Sequence, residues 1–167
     1  MKEWKWSLLS ILLVIAPVSA ARWEADITSR TDAHTKEVVA LRHWFHANPE
    51  LGLDNSRTQG VILEGLSGLG FSITTGAALT SVVADIESPH DGPTVLLRAD
   101  SDALPLQEDS PVDFASTTDG KMHACGHDAH VAMLLGAARL LSEHRNELPG
   151  NVRLMFQPGE EGFHGAR

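Results

Sequence analysis

The stretch Thr94-Val95-Leu96-Leu97-Arg98-Ala99-Asp100-Ser101-Asp102 decides the fold. It opens as a continuous apolar run, the composition of a strand buried on both faces, and closes on aspartates, as expected of a strand that delivers function at its carboxyl end. Downstream the period changes: Val131, Leu134, Leu135, Ala138 and Leu141 make one apolar stripe of a helix over 128–145, ended by Pro149-Gly150. Residues 152–157 then read as a second buried strand.

Upstream, Val38, Val39, Leu41, Arg42 and Phe45 fall at helical spacing within 25–46, and Pro49 stops that helix. A second helix, capped by Asp54 or Asn55, carries Val61, Ile62, Leu63, Leu66 and Leu69 and closes at Gly70. Short strands are expected at 71–75 and 81–86, with a turn at 89–92. No repeat or low-complexity linker interrupts the series, so the expectation is one α/β layered domain.

At the amino terminus, Lys2 and Lys5 precede an apolar run from Leu8 to Ile15 and the small residues Pro17-Val18-Ser19-Ala20. This pattern is a secretory signal peptide, residues 1–20, with cleavage after Ala20 and export to a periplasmic, extracellular or secretory compartment. The run is well short of the roughly 20 residues that cross a bilayer, so no stable membrane anchor is expected. The formal charge of the 167-residue chain is -9, about -10 for residues 21–167, which argues against nucleic acid or an anionic membrane as partner. The lone cysteine, Cys125, cannot form an internal disulfide.

That cysteine stands in Met122-His123-Ala124-Cys125-Gly126-His127-Asp128-Ala129-His130, just ahead of the expected long helix. Cys125 and His127 are close enough to bind one ion or two neighbouring ions, and Gly126 frees the backbone between them. A position before a helix also favours the thiolate. Asp128 reads better as the helix N-cap than as a ligand, and His123 and His130 either support the ligands from behind or are simply exposed.

Two more polar clusters follow strands, at 98–108 and at Glu160-Glu161. Adjacent carboxylates past a strand diverge, so one can ligate a metal while the other faces substrate and moves a proton; an acidic pair in a surface loop is the bland alternative. Asp100 or Asp102 could fix the tautomer of a histidine ligand, or could serve only the turn.

Four segments, His46-Ala47-Asn48-Pro49-Glu50-Leu51, 97–105, 122–138 and Phe156-Gln157-Pro158-Gly159-Glu160-Glu161-Gly162, together resemble the M20 family of metallopeptidases, in its amidohydrolase branch of hippurate and indole-acetyl-amino-acid hydrolases. Ser101 stands where that branch commonly has Met, and Gly159 where it has Ala. The resemblance implies a zinc-peptidase-like catalytic domain with a largely parallel central sheet flanked by helices. It implies two divalent cations (zinc, manganese or cobalt), with Cys125, His127 and Glu161 as ligands, Glu160 as general base and Asp102 as the aspartate beside the centre. The implied reaction is hydrolysis of the amide of an N-acyl amino acid or short peptide. An M20 carboxypeptidase or dipeptidase is the alternative, though these usually carry His-x-Asp where this chain has Asp100-Ser101-Asp102.

Family members are more than twice as long. The resemblance therefore implies that residues 21–167 are the amino-terminal part of a catalytic domain. The inserted dimerisation domain, which would make a homodimer possible for the complete protein, and further histidine ligands lie beyond Arg167. A fragment that at most binds a metal or a partner is the competing expectation.

Overall fold

The computed structural model describes residues 18–166, with side chains from residue 24 onward. The expected leader, 1–20, lies outside the described residues except for its last three, whose backbone begins the first helix. Helix α1 (Val18–Ala47) starts earlier than the expected 25 because neither Gly nor Pro interrupts this span. Among the described residues its carboxyl-terminal half packs inward, with Phe45 buried and Val38, Leu41 and Trp44 partly so. Its outer part is held by ion pairs: Arg30 and His34 both reach Glu143 at the end of the long helix.

Helix α2 (Ser56–Leu66) is capped differently from the expectation. Asn55 occupies the N-cap but its side chain makes no capping bond. The Glu50 carboxylate instead accepts the N–H groups of Arg57 (3.1 Å) and Thr58 (2.8 Å), placing a full negative charge at the positive end of the helix. The helix closes at Leu66 rather than Gly70, because Gly68 and Gly70 both take left-handed backbone (φ +75° and +79°).

Strands β1 (Ser72–Thr75), β2 (Val82–Ile86), β3 (Thr94–Asp100) and β4 (Asn151–Gln157) form one sheet in the order β1-β2-β4-β3, and helix α3 (His127–Glu143) connects β3 to β4. The layered α/β expectation holds, but the largely parallel sheet does not. Among the described residues β1 pairs antiparallel with β2 and β2 antiparallel with β4; only β3 and β4 run parallel. The reason is connection length. Short loops reverse the chain between β1, β2 and β3, whereas a parallel neighbour needs a long crossover, which α3 alone supplies.

The register puts Val82, Ala84 and Ile86 beside Phe156, Leu154 and Val152 on one face. Against that face pack Ile62 and Leu66 of α2 and Val131, Leu134, Leu135 and Ala138 of α3. Burying a side chain of this size stabilises by about 1.5–3 kcal/mol. Gly136 lets α1 approach α3 closely, since a Cβ there would stand 2.8 Å from Val38. The expectation that β3 is buried on both faces is corrected: Val95 and Leu96 are each 53% exposed. β3 is an edge strand of a sheet whose described helices contact mainly one face.

Candidate metal centre

Because β3 and β4 are parallel, with Asp100 opposite Gln157, their carboxyl ends leave the same edge of the sheet. The backbone of Ser101 donates to the Gln157 carbonyl (2.9 Å), which holds the two exits side by side. Helix α3, running back between the strands, starts at that same edge. All three polar clusters therefore converge, as the sheet topology requires.

Gly126 is the N-cap of α3 in left-handed conformation (φ +92°), which Gly alone adopts without cost. Asp128, expected as the cap, is corrected to a buried first-turn residue whose carboxylate accepts from Arg42 (3.0 Å) and from His46 Nδ1 (2.8 Å). His127, the first residue of α3, is 2% exposed. Its Nδ1 donates to the Asp102 carbonyl oxygen at 2.8 Å. A carbonyl only accepts, so the tautomer of the neutral ring is fixed with the lone pair on Nε2. Nε2 lies 3.8 Å from Glu160 Oε2, 3.8 Å from Glu161 Oε1 and 3.5 Å from Asp100 Oδ1.

The Asp102 carboxylate is fully buried. One oxygen accepts the Glu160 N–H (2.9 Å) and the other the Glu161 N–H (3.0 Å). Asp102 thus steers the loop of the paired glutamates as well as His127. Gly159 precedes that loop at φ +70°, where a Cβ would stand 2.5 Å from Leu53, so the Ala common in the branch would fit poorly here.

Among the described residues two groups each bring their potential ligand atoms within 4.8 Å of one another: Cys125, His127 and Glu161, and Asp100, His127 and His130. The first holds every metal ligand expected from the sequence, with Glu160 at its exposed side. The second was only half legible. His130 follows His127 by three residues on one helix face, a usable signal, but its 2.6 Å contact with Asp100 is long-range. Arg98 also pairs with Asp100 at 2.9 Å. His123, left open by the sequence, is 4% exposed with neither ring nitrogen hydrogen-bonded.

The electrostatics suit a cation. Burial works against ionisation of Asp100 and Asp102, yet His130, His127 and Arg98 around the first, and His127 with the two glutamate N–H groups around the second, hold both carboxyls below the usual range. Burial likewise opposes the His127 imidazolium, but Asp102 and Asp100 outweigh it and raise its pKa. Burial drives His123 down to about 4, so it is neutral at pH 7. Against the thiolate expected at Cys125, the Glu161 carboxylate beside it, with burial, pushes the thiol up. A buried Glu161 oxygen, Oε1, has no hydrogen-bond partner. A soft nitrogen-and-sulfur pair facing an unpartnered carboxylate oxygen is a donor set that fits a divalent cation, whose charge would reverse the Cys125 shift.

Residues 96–167 match the sequence profile of peptidase family M20/M25/M40. The chain belongs to the M20 family. It is 48% identical over 130 residues to an Arabidopsis thaliana protein named IAA-amino acid hydrolase ILR1-like 5, covering 78% of this chain and 30% of that one. It is 44% identical over 149 residues to Thermostable carboxypeptidase 2 of Saccharolobus solfataricus, covering 85% and 38%. A crystal structure from Bacillus subtilis, described as a dinuclear metal binding peptidase from the M20 family, superimposes with a TM-score of 0.77 at 42% identity, covering 81% of this chain and 38% of that one. The chain thus spans 30% to 38% of the length of these M20 relatives.

Proposed function

We propose that this chain carries the metal-binding part of an M20 amidohydrolase that cleaves the amide bond of N-acyl amino acids. The observation that carries the proposal is the meeting of Cys125, His127 and Glu161 ligand atoms within 4.8 Å at the sheet edge, with Glu160 beside them. Cys125 Sγ, His127 Nε2 and a Glu161 oxygen would hold the cation. A bound divalent cation supplies Lewis-acid stabilisation of charge on the amide oxygen and eases deprotonation of water. The thiolate favours zinc or cobalt, while the carboxylates admit manganese. The full reading takes two ions, in keeping with the dinuclear description of the Bacillus subtilis relative.

The remaining steps belong to the side chains. Glu160, 42% exposed, takes a proton from the water that attacks the carbonyl carbon. It then delivers that proton to the amide nitrogen as the C–N bond breaks, so water is consumed and a carboxylic acid and an amino acid leave. Asp102 keeps Glu160 and Glu161 in register through their N–H groups and keeps His127 in the tautomer that offers Nε2.

The carboxypeptidase relative supports a second reading, in which the acyl group is itself a peptide. Both readings share an amide next to a free amino-acid carboxylate. The product of the whole open reading frame, loaded with zinc, manganese or cobalt, is expected to release amino acids from simple N-acyl amino acids faster than from peptides. The opposite preference favours the carboxypeptidase, and absence of chelator-sensitive turnover on both overturns the proposal.

Export belongs to the same proposal and rests on the leader-like pattern of residues 1–20. Among the described residues no helix is long and apolar enough to cross a membrane. Amino-terminal sequencing of secreted protein should begin at Ala21; retention of Met1 contradicts export by cleavage.

A further inference from the structure

The segment His46-Ala47-Asn48-Pro49-Glu50-Leu51 contributes no group to the metal centre, yet it touches both of its flanks. His46 is buried, with Nδ1 2.8 Å from Asp128 and Nε2 3.1 Å from Glu108. The ring thus lies between the two carboxylates, within hydrogen-bond distance of both. Asp128 directly follows His127 in α3 and is also bound by Arg42. The other Glu108 oxygen accepts the Ser116 N–H at 2.6 Å, and Ser110 donates its hydroxyl to the same carboxylate. His46 thus ties the first turn of α3 to the long loop after β3. Arg42 and His46 are the partners of these two carboxylates, which makes the cluster costly to break one member at a time.

The end of the segment grips the other flank. The Glu50 carbonyl accepts the Ala103 N–H at 2.7 Å, and Leu51 forms a parallel bridge with Ala103. Ala103 directly follows Asp102. The Ala47 carbonyl accepts both the N–H (3.0 Å) and the hydroxyl (2.7 Å) of Thr117. The segment therefore holds the neighbour of His127 at one end and the neighbour of Asp102 at the other, and the 2.8 Å contact between those two residues spans the gap.

We propose that His46 to Leu51 is a positioning frame for the metal centre, with His46 as the positioning residue that sets His127 against Asp102. The inference rests on the metal reading above. Partners that orient ligands from behind typically govern metal affinity by 10–100-fold, and His46 acts one step further out, through Asp128.

The test is zinc affinity of the 167-residue chain, measured by competition with a chromophoric chelator at a temperature where circular dichroism shows every variant folded. His46→Gln is expected to weaken zinc tenfold or more. Glu50→Gln, which weakens the cap of α2 but leaves the Glu50 carbonyl in place, is expected to lower the melting temperature and change zinc affinity less than twofold. Cys125→Ala anchors the underlying reading and is expected to lose tight zinc binding. Wild-type affinity in His46→Gln, or equal weakening in Glu50→Gln, overturns the frame while leaving the metal reading intact. Wild-type affinity in Cys125→Ala overturns the metal reading and the frame with it. Should His46→Gln fail to fold, Glu108→Gln, which neutralises the other end of the pair, decides on the same tenfold criterion.

Discussion

His127 and Asp102 meet through main chain rather than through carboxylate: His127 Nδ1 donates to the Asp102 carbonyl at 2.8 Å, while the Asp102 carboxylate oxygens are taken by the N–H groups of Glu160 and Glu161. One residue at the end of β3 thereby fixes a histidine ligand on α3 and the two glutamates after β4. A backbone carbonyl cannot be removed by mutation, so the side chain and the main chain of Asp102 have separable roles.

Asp102→Asn is the first consequence. An asparagine presents one acceptor and one donor where two N–H groups need acceptors, inside a fully buried site. The expected loss is about 1.5–3 kcal/mol of stability, read as a lowered urea midpoint at unchanged slope. An unchanged midpoint contradicts the assignment.

The two glutamates should separate. With Glu160 exposed beside the centre and Glu161 within it, Glu160→Gln in the product of the whole open reading frame should abolish the proposed hydrolysis with bound metal nearly unchanged, whereas Glu161→Gln should lower metal content. Measuring metal per protein alongside turnover of an N-acyl amino acid decides this. Metal loss in Glu160→Gln alone would reverse the roles.

Acid should loosen the loop after β3 before the core. Burial works against the Glu108 carboxylate, but Ser110, the Ser116 N–H and His46 outweigh it, so its pKa in the fold lies below the ordinary value of 4.5. The stabilisation is fully present above that ordinary value and is lost as pH falls through the lower folded pKa. Urea midpoints from pH 6 down to about pH 3 should fall more steeply for the native chain than for Glu108→Gln. Parallel curves would contradict this.

The one-sided sheet gives a stability contrast. Leu154 is wholly buried in β4, so Leu154→Ala should cost about 2–5 kcal/mol. Leu96→Thr, on the exposed β3 edge, should stay within about 0.5 kcal/mol. Comparable costs for both would mean that the far face of β3 is packed in solution.

The stripe on α3 was legible because each side chain's burial follows from local period. Cys125, His127 and Glu161 were legible as ligand types, and their convergence followed once strands and helix were placed. Strand direction was not, since a run such as 94–98 has the same composition whether one face or two are covered. Nor were the partners of Asp128: a first-turn aspartate looks like a cap, and only tertiary structure brings Arg42 and His46 to it. Glu50 as the cap of α2 escaped for the same reason, its acceptor arriving from outside the usual N-cap position.

A cation held by Cys125, His127 and Glu161 would show itself in the absorption spectrum of the cobalt(II)-loaded chain. A thiolate-to-cobalt charge-transfer band is expected in the native chain and not in Cys125→Ala. A cobalt spectrum without that band, or one that survives the loss of Cys125, would contradict it.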